Sequence, residues 1–217
     1  MLSLQKNRYL CRFKKKASRD AFFYGLGKPF SVSAIAESDA RALIQEPVSE
    51  FLEYSDAAVE HIVDQTACMP YLIQHYCHEV VQLAMQQNLV AATIEDAKAV
   101  VDNLLEAVNG VFSNLWKEVG NCRRQLIIAQ TIETTDGDLD PITFEFLREK
   151  LSEYRIVFSD DDLDKDIEYL IDLEVLVSSD ELQDKRYHLR VPLFAQWVTQ
   201  NQDRDSIIRR AREEVLK

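Results

Sequence analysis

Glycine and proline are scarce, with five of each in 217 residues. So little turn material argues against a β-sandwich or a collagen-like repeat and leaves long helices as the natural content. A disulfide framework is missing too: Cys11, Cys68, Cys77 and Cys122 form no CxxC pair and keep no regular spacing. That is the usage of a reduced, cytoplasmic protein. No apolar run approaches the ~18 residues that a membrane helix requires, and the first 20 residues lack the apolar core of a signal peptide. These absences predict a soluble cytoplasmic chain with no membrane partner.

Chemistry-bearing motifs are also lacking. No serine sits in a GxSxG elbow, and no cysteine has a nucleophile motif around it. A phosphate cradle needs a glycine-rich loop ahead of a helix, with a lysine. The only near match, Gly25-Leu26-Gly27-Lys28-Pro29, is too short, and Pro29 removes an N–H where the cradle would need one. His75, His78 and Glu79 share the polar face of one helix, and a histidine pair at i, i+3 can ligate zinc. Third and fourth ligands at sensible spacing are absent, so solvated polar residues are the better reading and no metal is expected. The sequence predicts no autonomous catalytic site.

What is present is a globular composition, 47% hydrophobic and 29% charged, long enough for one or two domains with a real core. Charge is unevenly spread. Residues 1–20 carry net +6, the other 197 net −18. Residues 1–36 read as a basic leader followed by one short strand at Ser31-Val32-Ser33-Ala34-Ile35. From Glu37 the helical signals are strong. Ser38 is placed to cap a helix with Ala40, Leu43 and Ile44 inward, stopped by Pro47, and Ser55 caps a second. Pro70 opens a third of about five turns, with Leu72, Ile73, Tyr76, Cys77, Val80, Val81, Leu83 and Ala84 on one half. Thr93 starts a fourth that runs through Leu104, Leu105 and Val108. Residues 37–119 thus form a helical bundle.

Beyond a boundary near Gly120 come three helices and two strand-like runs, Val175–Val177 and Tyr187–Val191. Three helices and a β-hairpin, at 120–203, is the order of a winged helix. Residues 204–217 read as a charged helix that frays or docks weakly. The fold class expected is therefore mainly α: a helical bundle, then a winged-helix domain with a small β-hairpin.

A winged helix raises DNA binding, where the third helix enters the major groove. Here that helix turns Asp164, Lys165, Glu168, Tyr169 and Asp172 outward. The stretch from Glu133 to Asp184 holds 18 acidic residues against 4 basic ones. Such a field opposes phosphate contact, and Lys185, Arg186 and Arg190 on the wing are the only counterweight. Nucleic acid is thus a disfavoured partner, and a winged-helix transcription regulator is the alternative reading. A third reading is an adaptor whose acidic surface takes a basic partner, its own residues 1–20 included.

Two strings carry a family resemblance: Asp39-Ala40-Arg41-Ala42-Leu43-Ile44-Gln45-Glu46-Pro47 and Thr66-Ala67-Cys68-Met69-Pro70-Tyr71-Leu72-Ile73-Gln74. Together they resemble the EAxxLIxxP-like helix and TGGxPYLIQ-like turn of bacterial STAND signal-transduction ATPases, relatives of AAA+ proteins. Phe112-Ser113-Asn114-Leu115-Trp116 is similar to that family's link into a winged helix. Val191-Pro192-Leu193-Phe194-Ala195-Gln196-Trp197 is similar to its closing VPLFxxWL element.

The resemblance implies the lid and winged-helix half of such an ATPase without the P-loop half. By the same resemblance Pro70, Cys68 and Tyr71 are candidate lid contacts to a nucleotide base. Cys68 stands where the family has glycine. ATP or ADP would bind only with a P-loop domain supplied elsewhere. The expected function is a non-catalytic regulatory module that relays conformational change through protein contacts, with that P-loop domain or another protein as partner.

Overall fold

The computed structural model describes residues 34–133, 142–156, 158–181 and 184–215. The basic leader, the Gly25–Pro29 stretch and most of the expected strand at 31–35 lie outside the described residues. Ala34 and Ile35 are irregular, and the Ile35 N–H donates to the Cys68 carbonyl at 3.0 Å.

From Ala34 onward the chain is one compact, mainly helical unit. Helix α1 (Glu37–Gln45) starts from an extended Ala36, so Ser38 lies inside the first turn rather than capping it. A single 3-10 turn (Glu46–Val48) carries Pro47. Ser55 caps α2 (Asp56–Thr66) as expected, its hydroxyl accepting the Ala58 N–H at 3.2 Å. Pro70 begins α3 (Pro70–Gln87), which buries Leu72, Ile73, Tyr76, Val80 and Ala84.

Two strands of two residues each, β1 (Glu53–Tyr54) and β2 (Ala91–Ala92), pair in parallel between these helices. Neither is expected from sequence, because two residues show no alternation. Thr93 does begin a helix, through a reciprocal capping box with Asp96. That helix is not continuous. It breaks at Val100 into α4 (Ile94–Ala99) and α5 (Val101–Val119).

Gly120, at φ +87°, separates α5 from α6 (Cys122–Glu133), at the point where a boundary is expected. After it come β3 (Ile142–Thr143), α7 (Phe144–Glu153), α8 (Asp160–Asp172), β4 (Leu176–Glu181) and β5 (Asp184–Leu189). The sheet order is β3-β5-β4, antiparallel throughout. Ser159 and Asp162 cap α8 reciprocally. Helices α9 (Pro192–Asn201) and α10 (Arg204–Val215) follow.

One hydrophobic core runs through both halves. Helix α9 lies against α2, α5 and α6. Its Phe194 and Trp197 stack at 6.0 Å and 9° and pack on Phe112 of α5, with ring centroids at 5.3 and 6.2 Å. Such aromatic pairs add about 0.5–1.5 kcal/mol each beyond their buried area.

Helix α10, expected to fray or dock weakly, is described from Arg204 to Val215 and touches the rest of the fold. Ile207 and Ala211 are buried, Glu214 accepts the Cys122 N–H at 2.9 Å, and Arg212 donates to the Tyr154 carbonyl at 2.7 Å. Two apolar residues four apart, Ile207 and Ala211, are enough to seat a helix whose remaining side chains are mostly charged. No helix among the described residues is long and apolar enough to cross a membrane.

Candidate functional site

The three residues singled out by resemblance, Cys68, Pro70 and Tyr71, meet in the turn between α2 and α3. The turn starts from a helix stop. The Cys68 N–H reaches back to the Val63 carbonyl at 3.4 Å and the Ala67 N–H to Asp64 at 3.3 Å, the bond pair of a Schellman motif. The buried Thr66 hydroxyl also turns back, donating to the Ile62 carbonyl at 2.7 Å.

A Schellman stop needs one left-handed residue. Here there are two in succession, Ala67 at φ 49° and Cys68 at φ 56°. Left-handed backbone costs an L-residue roughly 1–2 kcal/mol, and glycine almost nothing. Glycine-type geometry is therefore held by two residues with side chains, at the two positions where the resemblance has Gly-Gly. Met69 then turns extended (φ −79°, ψ 113°), as a residue before proline must, and Pro70 enters α3 at its first position.

Around the turn, burial raises the Cys68 thiol above its ordinary range. The carboxylates of Glu37 and Asp64 push the same way, and Arg41 opposes them. Arg41 is itself paired with Glu37 at 2.8 Å. Tyr71 is 42% exposed, and its ring lies 4.5 Å from that of His75 at a tilt of 55°.

From Ala42 to Ala97 the chain has nine carboxylates and neither lysine nor arginine. Arg41, which bears on the turn from just outside that stretch, is already paired with Glu37, so the surroundings of the turn disfavour a polyphosphate. The turn's own backbone is engaged, with the Met69 N–H on the Thr66 carbonyl at 3.0 Å and the Cys68 carbonyl on the Ile35 N–H, so the Tyr71–His75 ring pair is the aromatic surface it offers.

The other sequence candidates separate. His78 is exposed, while His75 is engaged with Tyr71. Among the described residues no group of three or more His, Cys, Asp or Glu side chains could hold a metal ion. On α8, Asp161, Asp164, Glu168 and Asp172 are exposed, and Lys165 pairs with Asp161. Tyr169 is half-buried, donating to the Glu118 carbonyl at 2.9 Å under the Arg124 guanidinium. On the hairpin Lys185 and Arg186 are exposed, whereas Arg190 pairs with Glu174 at 3.2 Å.

Two linkages emerge that sequence patterning missed. Asp166 on α8, 2% exposed, accepts from Arg123 and, at 2.7 Å, from Arg124, which together tie α8 to the start of α6. Gln65, one residue before the turn begins, accepts from Gln196 of α9 at 2.8 Å. Trp197 on the same helix donates to Asn109 of α5 at 2.9 Å. The turn is thus hydrogen-bonded, through α2, to the helix that follows the hairpin. No family model, no curated protein and no solved structure matches this chain.

Proposed function

We propose that this chain is a regulatory module of the STAND/AAA+ type, a lid-like helical bundle followed by a winged helix, which transmits conformational change by protein contacts. The observation that carries the reading is the pair of left-handed residues, Ala67 and Cys68, directly ahead of Pro70. Backbone of that shape is costly without glycine, which fits a turn whose form matters more than its local energy.

The second half supports the winged-helix part. A strand between its first two helices pairs with the far arm of the terminal hairpin, giving the order β3-β5-β4 behind α8. The Gln65–Gln196 bond supplies a contact through which movement of the turn would reach α9. A DNA-reading role is disfavoured by the exposed carboxylates of α8, which would face phosphate.

In this reading the chain hydrolyses nothing alone, and a nucleotide is held only when a P-loop domain is supplied by another chain. Titration of ATP into the full chain, followed calorimetrically, should give no affinity tighter than about millimolar. Incubation with ATP and magnesium should release no phosphate above the buffer rate. Micromolar binding, or hydrolysis by a clean sample, would overturn the proposal.

A further inference from the structure

At the far end of α3 from Pro70, about 25 Å along the helix axis, three large apolar side chains stand in solvent. Phe51 is 56% exposed, Met85 67% and Val90 78%. They rim an open depression of about 430 Å³ floored by Val81, Ala84 and Leu89. Scattered exposed apolar residues are ordinary, but a contiguous set around a depression marks a contact surface.

The set is held in place. Asn88 ends α3 in the left-handed region at φ 54°, which turns Leu89 and Val90 back against the helix. The Val90 carbonyl accepts the Glu53 N–H at 3.0 Å, and the Phe51 N–H is bonded to Val48 at 3.0 Å. Binding therefore orders little backbone, which lowers its cost.

Charge narrows the occupant. Glu46, Glu50 and Glu53 are exposed on the segment that carries Phe51, and they belong to the stretch from 42 to 97 that has no lysine or arginine. A second copy would set this acidic face against itself, and an anionic membrane would be repelled. We propose that the Phe51–Met85–Val90 surface docks an amphipathic helical segment of a partner protein, one whose apolar stripe is flanked by lysine or arginine. Apolar side chains would fill the depression and the cations would meet the glutamates.

The test uses the full chain and two synthetic helices of about five turns, one of leucine and lysine and one of leucine and glutamate, each with leucine on one face. Fluorescence anisotropy should show the leucine–lysine helix binding, with affinity falling as salt rises. The paired substitution Met85→Ser, Val90→Ser should weaken it about tenfold or more, from the apolar area lost. Val111→Ser, at an exposed apolar site elsewhere, should leave it unchanged, and circular dichroism should show all variants folded. Equal binding by the double variant, equal binding of the leucine–glutamate helix, or Met85-dependent self-association in sedimentation would each overturn the proposal. The nucleotide-turn reading survives any of these results, because it rests on the opposite end of α3.

Discussion

Ala67 and Cys68 spend backbone energy that glycine would save, and the site's character rests on that expense. Cys68 is partly buried and packs against the core, so exchanging it would also remove contacts. Ala67 has less to lose. Ala67→Gly should stabilise the chain by about 0.5–1 kcal/mol, with the left-handed strain relieved and part of the gain returned as unfolded-state entropy. For a unit of this size, thermal unfolding should shift upward by roughly 1–4 °C. Ala67→Val should do the reverse, since a β-branched side chain tolerates positive φ worst. A drop in stability on Ala67→Gly would show that the methyl does something the dihedral does not reveal. Pro70 at the start of α3 is legible in the sequence, because proline's missing N–H suits a first turn. The double left-handed turn ahead of it is not legible, because neither alanine nor cysteine announces positive φ.

Between elements, Asp166 with its two arginines is a buried ionic tie. The carboxylate is 3% exposed and each guanidinium 21%, so the pair of contacts is shielded but not dry. Removing the carboxylate leaves two cations facing a hole. Asp166→Ala should cost about 2–4 kcal/mol in chemical denaturation, trimmed from the figure for a fully buried pair because both arginines can turn partly to water. Replacing all three residues together, with Arg123→Met, Arg124→Met and Asp166→Leu, should recover most of that loss. If the triple variant is no better than Asp166→Ala, the ion pairs contribute position as well as satisfied charge.

The clue was available in the sequence. Asp166 falls on the Leu163–Ile167–Leu170 stripe at helical spacing, and a carboxylate on an apolar stripe demands a partner. The partners sit more than 40 residues away, which no periodicity reports. Elements set by local chemistry, such as the Ser55 cap and the Thr93 and Pro70 starts, were legible for the same reason in reverse. β1, β2 and β3 were not, since each is two residues long and exists only through its partner.

At the scale of the whole molecule, α9 decides whether the two halves unfold together. Trp197 is buried, stacked on Phe194 and against Phe112, and bonded to Asn109. Trp197→Ala should cost about 3–5 kcal/mol. It should also lower a single transition, seen alike in far-ultraviolet dichroism and in Trp116 fluorescence. Two separated transitions in the parent chain would show that the shared core does not enforce cooperativity. The order of helices and hairpin could be foreseen from Gly120 and the strand runs, but the packing of α9 back across that break could not. The same packing has a price during synthesis. The face of Phe112 that meets α9 has no cover when it leaves the ribosome, and Phe194 and Trp197 arrive more than 80 residues later. At ordinary elongation speeds that is roughly 4–17 s of bare aromatic surface, an interval in which a chaperone has more claim on the nascent chain than its own unfinished fold.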